Sequence, residues 1–408
     1  MATVDRGRQV SGAARGVRVL DLSRVLAGPL CAQMLADHGA DVVKVEAPAG
    51  DETRRWGPPF VDEAETTSAY YQGLNRNKAN VVLDLRTPPG REVLHDLIAR
   101  ADVVVENFKA GTMEGWGLGY ESRLAREFPR LVYCRITGYG VDGPLGGLPG
   151  YDAVLQAYGG LMSLNGERDG DPLRVGVPIV DLTAAHQAFA GVLLALLERA
   201  GSGRGQLVDV TLFDAVLSIL HPHSATYLQS GAVPERTGAA HPTVAPYQVF
   251  RTKGQGRLFV AAASDAQFAA LTEVLGRPHL AGDPRFRRNK DRVSRRAELL
   301  AELEPLFLRR DAGDLAEELA ARGVPASPVH DLDGALSAPH TRHRAMVVQD
   351  GAYRGIGVPI KLSRSAAVPP CAPAAAGADT RRVLTGLGYS PERISALGRS
   401  GAFGPHSP

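Results

Sequence analysis

The feature that most constrains this chain is an alternation. Starting at Val17, short apolar runs rich in β-branched residues take turns with amphipathic stretches: 17–22, then 30–38, then 41–46, and later 80–85, 91–100, 101–107 and 131–137. Strand, helix and strand joined by short connections specify a parallel sheet with helical crossovers. The first 140 or so residues therefore read as an open α/β domain of Rossmann type.

Beyond it the texture changes twice. A Gly/Pro-rich loop, 138–150, precedes a helical stretch ending near Leu161; an apolar strand is expected over 175–180, an apolar helix over 182–199 and another strand over 206–212. From about Ala225, prolines 234, 242 and 246 punctuate the chain, and strand-like runs at 247–251 and 257–262 lead to helical patterns over 265–275 and 297–322. This part reads as a smaller α+β domain. The stretch 351–360 and a Pro/Ala-rich segment, 368–377, lead to two closing helices near 379–387 and 391–397. The expected organisation is 1–224 for the large domain, 225–334 for the small one and 335–408 returning to the large one.

Composition narrows the partners. With 408 residues, 44% apolar and 22% charged, the chain has ample material for two or three folded cores. Forty-six Lys plus Arg against 44 Asp plus Glu gives a formal charge of +2, which provides no reason to expect nucleic acid or a membrane as partner. The longest apolar run, 188–197, falls short of the roughly 18 residues of a membrane span and is expected to be a core helix. Three cysteines without a paired framework suit a reducing compartment. Residues 1–16 are polar, contain three arginines and lack the apolar stretch of a secretory signal, so a cytoplasmic protein is expected.

Several chemistries lack their signatures. The first βα turn, Leu22 to Pro29, has one glycine where a dinucleotide fingerprint needs three. The glycines at 201, 203 and 205 follow a helix and precede a strand, the reverse of P-loop order, and read as a helix end. His221/His223 and His340/His343 have no carboxylate or thiol companions, and no GxSxG or HExxH occurs, so no metal is expected. Three constellations remain. Asp181 closes the expected strand and opens the apolar helix, where it is either a helix cap or an ionised nucleophile held by the helix dipole. Gly150-Tyr151-Asp152 offers a glycine that lets a backbone approach a ligand and a tyrosine hydroxyl donor. Leu74-Asn75-Arg76-Asn77-Lys78 precedes one strand and Asn107-Phe108-Lys109 follows the next; spacing alone does not bring them together, and by composition alone solvated surface charge is the favoured reading.

In this order the segments resemble the family III CoA-transferases, a group that also contains the 2-methylacyl-CoA racemases. The resemblance is carried by Val19-Leu20-Asp21-Leu22-Ser23 with Ala27-Gly28-Pro29, by Gly39-Ala40-Asp41-Val42-Val43-Lys44-Val45-Glu46, by Asn75-Arg76-Asn77-Lys78, by Ala101 to Phe108, by Ile136-Thr137-Gly138-Tyr139-Gly140 and by Gly203-Arg204-Gly205-Gln206. In the small domain Ala245-Pro246-Tyr247 and Leu275-Gly276-Arg277-Pro278 extend it.

The resemblance implies that Asp181 is the catalytic aspartate. Its carboxylate would attack an acyl-CoA thioester to give an anhydride, and CoA would then be held as an aspartyl thioester before passing to an acceptor acid. Coenzyme A, as the acyl-CoA substrate, would run along Val25, Leu26, Leu74, Asn75, Arg76, Asn77, Lys78, Asn107, Phe108, Lys109, Gly150, Asp152, Ala153 and Val154, with Arg76 and Lys109 near its phosphates. Many relatives carry an arginine where this chain has Gly115, so phosphate binding there would come from elsewhere, for example Lys78 or Arg24. The racemases have Gly-His-Asp where this chain has Gly150-Tyr151-Asp152; a tyrosine, with an ordinary pKa of about 10, is a poor base for an α-proton. Transfer is thus favoured, with Tyr151 donating to the acyl oxygen. The glycine run of the formyl-CoA branch is absent, Lys253-Gly254-Gln255-Gly256 reading as a hairpin turn, so oxalate is not the expected acceptor. By the same resemblance this chain is expected to form a homodimer of interlocked chains. A racemase or epimerase, an acyl-CoA hydrolase or lyase, and a non-catalytic CoA-binding protein stay open as alternatives.

Overall fold

Six short strands rich in valine form one parallel sheet: β1 (Arg18–Asp21), β2 (Asp41–Glu46), β3 (Ala79–Val82), β4 (Val103–Glu106), β5 (Val132–Thr137) and β6 (Leu207–Thr211). The computed structural model describes residues 12–405; the part of the leader reading that rests on residues 1–11 lies outside them. Strand order is β3-β2-β1-β4-β5-β6, with every neighbouring pair parallel. Strands β3 and β4 are buried along their whole length, as expected for a sheet covered on both faces, where near-continuous runs of Val replace the polar alternation of a half-exposed sheet.

Helix α1 (Ala27–Asp37) connects β1 to β2, and α2 (Pro88–Ile98) connects β3 to β4. Thr87 caps α2 by accepting from the Gly90 N–H, and Pro88 fits the first helical position, where no N–H is needed. The chain from β5 back to β6 contains α3 (Asp152–Tyr158) and α4 (Ile179–Ser202). The strand expected over 175–180 does not form. Pro178 has no N–H for a ladder, and the Val175 N–H donates to the Gln156 side chain at 2.8 Å. The chain enters α4 directly. Nor is α4 a fully buried core helix: Val180, Ala184, Ala185, Ala188, Phe189, Val192 and Ala195 are buried, while Leu193, Leu194 and Leu197 are exposed. Among the described residues it is the one helix long and apolar enough to cross a membrane by length and composition, and a third of its most apolar window is buried.

The chain divides into two units. The first comprises the sheet unit up to Gly159, Val175–Ala225 and the chain from Arg342 onward. The second comprises Gly160–Arg174, which the sequence places in the large domain, and Thr226–Thr341. It holds an antiparallel sheet of β7 (Tyr247–Arg251), β8 (Arg257–Ala261) and β9 (Ala326–Pro328) over its own core, where Phe250 and Phe307 stack 4.1 Å apart. The returning chain adds a hairpin, β10 (Val347–Asp350) and β11 (Tyr353–Ile356), in part of the stretch the sequence leaves without elements, and two closing helices, Thr380–Gly386 and Pro391–Arg399. Val383, Leu384, Ile394 and Leu397 of these helices complete the apolar cluster on one face of the six-stranded sheet. All three cysteines are free thiols.

Candidate active site

Strand β1 has β2 on one side and β4 on the other, so the chain crosses the sheet in opposite directions from it. A crevice opens at the carboxyl ends of the strands where the order reverses. It encloses about 220 Å³ and is built by the segments after β1, β4 and β5, together with Asp181 from α4 and Glu52.

The first two loops are clamped to each other. The Arg24 N–H donates to Asn107 Oδ1 at 2.8 Å, and Asn107 Nδ2 donates to the Arg24 carbonyl at 2.7 Å. One side-chain amide thus imitates a strand neighbour and extends the β1–β4 pairing past its last backbone bond, Leu22 N–H to Val105 O at 2.8 Å. Val25, next in line, has φ +67°, a left-handed conformation that costs a β-branched residue on the order of 1–3 kcal/mol. Val25 and Leu26 line the crevice, as do Asn107, Phe108 and Lys109. The Arg24 guanidinium carbon lies 5.6 Å from the centre of the Phe108 ring. Arg24 and Lys109, both exposed, make this end of the crevice cationic.

The third loop, 138–150, closes on itself. A Cβ on Gly150 would stand 2.7 Å from the Gly138 Cα, so glycine is required at 150 by the approach of another stretch of backbone, not of a ligand. Tyr151, exposed, lines the crevice beside Gly150.

Asp181 is the third residue of α4 and does not cap it; Pro178 occupies the cap position without a side-chain bond. The cap comes from α3. Asp152, buried, accepts the Val180 N–H at 2.8 Å and the Asp181 N–H at 3.3 Å on one oxygen, while the other accepts from Gln156 Nε2 at 2.7 Å. Asp152 therefore takes the backbone donors that would otherwise favour charge on Asp181. Burial, reinforced by the Asp152 charge, pushes the Asp181 carboxyl up to about 7. Burial thus opposes the ionisation that the helix dipole favours. Tyr70, unremarked in the sequence, is pushed up to about 12 by burial and then by the charges of Asp181 and Asp152.

The basic segment before β3 lies elsewhere. Arg76, buried, binds Asp37 through Nε and Nη2 at 2.8 and 2.7 Å and also donates to the Ile356 carbonyl. Lys78 Nζ donates to Asp21, to the Pro29 carbonyl and to Asn75, each at 2.8 Å, so all three of its donors are occupied. Asn77 donates to Asp37 at 2.8 Å and accepts from the Cys371 N–H at 2.7 Å. Leu74 is half-buried and outside the crevice. Arg76, Asn77 and Lys78 tie the start of β3 to α1 and to the returning chain, with the Arg76 and Lys78 charges paired by Asp37 and Asp21. Asp152 is used as the cap, and Ala153 and Val154 are exposed away from the crevice lining.

Residues 15–380 match the family model described as CoA-transferase family III. The chain belongs to that family. Succinate–glutarate CoA-transferase of Agrobacterium fabrum is 40% identical over 359 residues, 86% of this chain and 89% of the relative. Succinyl-CoA:glutarate CoA-transferase of Mus musculus is 37% identical over 409 residues, 96% of this chain and 90% of the relative. A crystal structure of a CaiB/BaiF family protein from Brucella suis matches with a TM-score of 0.85 at 40% identity, covering 92% of this chain and all of that one.

Two further residues of this family III CoA-transferase escape a reading by sequence. Glu52 follows Asp51, the cap of a single 3₁₀ turn, and lines the same crevice as Asp181. Glu106 ends β4, where a strand-end acid usually meets water, yet it is buried and its carboxyl is pushed up to about 7 by that burial. No motif flags Glu52, and Glu106 lies in a segment that carries the family resemblance without being singled out there; the tertiary contacts mark both.

Proposed function

We propose that this family III CoA-transferase moves CoA from a succinyl-type thioester to a small dicarboxylic acid, with Asp181 as the covalent carrier. The observation that carries this is a carboxyl raised by burial in a crevice at the switch point of the sheet, in a chain of this family. The substrate class follows the names of the relatives from Agrobacterium fabrum and Mus musculus. An Asp181 oxygen attacks the thioester carbonyl, the C–S bond breaks, and an acyl–aspartyl anhydride and CoA thiolate form. The thiolate attacks the aspartyl carbonyl, releasing the acyl group as its carboxylate and leaving CoA as an aspartyl thioester. The acceptor carboxylate repeats the sequence in reverse and restores Asp181. Tyr151 donates a hydrogen bond to the acyl oxygen as charge develops there. Arg24 and Lys109 take the CoA phosphates that an arginine at Gly115 would otherwise meet.

Anhydrides hydrolyse, so bound CoA must exclude water from Asp181. The apolar lining from Val25, Leu26, Ile136, Leu148 and Leu212 favours this. The sheet order is read as a Rossmann-like arrangement, and the exposed leucines of α4 as part of a homodimer interface in which chains interlock. Free thiols favour a cytoplasmic setting. Incubation with succinyl-CoA and glutarate tests the transfer: glutaryl-CoA and succinate are expected in equal amounts. Release of free CoA without glutaryl-CoA, or deuterium exchange at the α-carbon without an acceptor, would overturn it.

A further inference from the structure

We propose that Glu106, behind the crevice, is a positioning residue that sets the phosphate-binding loop and, through it, the loop after β1. This role rests on the CoA-transferase reading above. Glu106 is 4% exposed, at the end of a strand whose preceding residues, Val103, Val104 and Val105, are all apolar. Burying an acid there costs free energy that another valine would not, so packing alone does not account for it. Its Oε2 accepts the Phe108 N–H at 2.8 Å. The charged groups facing it are Arg135 from β5 and Glu114 from the short helix Thr112–Gly115. Arg135 is itself 8% exposed, and its Nε has no hydrogen-bond partner. A cavity of about 20 Å³, room for one water, lies between Glu106, Lys109, Glu114 and Arg135.

From this anchored amide the order passes outward. With the Phe108 N–H fixed, Asn107 holds the Arg24 backbone at both its donor and its acceptor. The Phe108 ring meets the Arg24 guanidinium and packs edge-on against Trp116, whose ring centre is 5.2 Å away. Both exposed cations of the crevice, Arg24 and Lys109, thus hang from loops whose geometry begins at one buried acceptor.

Steady-state kinetics with both substrates varied test the role. Glu106→Leu removes the acceptor and is expected to raise KM for acyl-CoA about tenfold, the loss of roughly one such hydrogen bond. Its kcat and its KM for the acceptor acid should stay within about twofold of wild type. Glu106→Gln keeps an acceptor oxygen and should hold KM within about threefold. Asn107→Asp, which removes the donor half of the clamp at a half-buried position, should raise KM for acyl-CoA as Glu106→Leu does, and it decides the matter if Glu106→Leu does not fold. An unchanged KM in Glu106→Leu or Asn107→Asp, or a Gln variant as impaired as the Leu one, would overturn the proposal while wild-type turnover leaves the transferase reading intact. A wild type without transfer would sink that reading instead. Titration of Trp116 fluorescence with CoA, in a Trp56→Phe background, would then decide the positioning role, because affinity must follow the same order across the variants.

Discussion

Two carboxylates that share the N-terminus of α4 divide its work, and their separation has measurable consequences. Asp152 holds the helix and raises Asp181, whose carboxyl stands at about 7. A nucleophile must be ionised, so kcat/KM for acyl-CoA should fall tenfold per pH unit below about 7. Replacing Asp152 by Asn removes a negative neighbour, so the acid limb should move to lower pH. Asp152→Ala also loses the cap and should cost about 0.5–2 kcal/mol of stability by urea unfolding. Stability shows the same linkage. Because the folded-state value lies above the ordinary 3.8, the ionised Asp181 penalises the fold increasingly as pH rises from about 4 to 7 and fully above that. Asp181→Asn should therefore melt higher than wild type at pH 8 and equally at pH 4. The resemblance singles out Asp181 and Tyr151, and both line the crevice, but the cap was not legible: its acceptor lies 28 positions before the amide it holds.

At the scale of elements, the basic segment before β3 is paired inside the fold, while Arg24 of the loop after β1, which the sequence also offers for the phosphates, lines the crevice. Arginine and lysine at 76 and 78 look like phosphate ligands only until Asp37 and Asp21, 39 and 57 positions away, are seen to neutralise them. Burial pushes Lys78 down to about 8 even against the pull of Asp21, the balance of a structural pair. Lys78→Ala removes the cation bonded to buried Asp21, leaving it only Lys44 and the Ser23 donors, and should lose about 3 kcal/mol in urea unfolding. Arg24→Ala, at an exposed position, should leave stability unchanged while raising KM for acyl-CoA and flattening its salt dependence. The opposite pattern would return the phosphate site to the 74–78 segment. The missing strand at 175–180 has a similar cause: an apolar β-branched run reads as a strand, but Pro178 interrupts the ladder and Asp152 offers the chain a helix start instead.

For the molecule as a whole, the alternation of strands and helices was enough to foresee a mixed α/β chain with a parallel sheet and a smaller α+β part, because each βαβ step is local; the antiparallel pairing of β7, β8 and β9 was not specified. What covers α4 was not foreseeable, since its apolar residues surround the helix and periodicity assigns no face. In the homodimer proposed above, Leu194 and Leu197, 67% and 73% exposed, are residues that a second chain would cover. Light scattering should give twice the mass of one chain, and Leu194→Asp with Leu197→Asp should give a monomer; a double variant that stays dimeric would move the interface elsewhere. The turnover itself is tested most directly by trapping. Enzyme incubated with succinyl-CoA and treated with hydroxylamine is digested and its peptides weighed. A hydroxamate on the peptide containing Asp181, absent in Asp181→Asn, is the expected result; an unmodified Asp181 peptide in enzyme that is turning over would contradict covalent transfer.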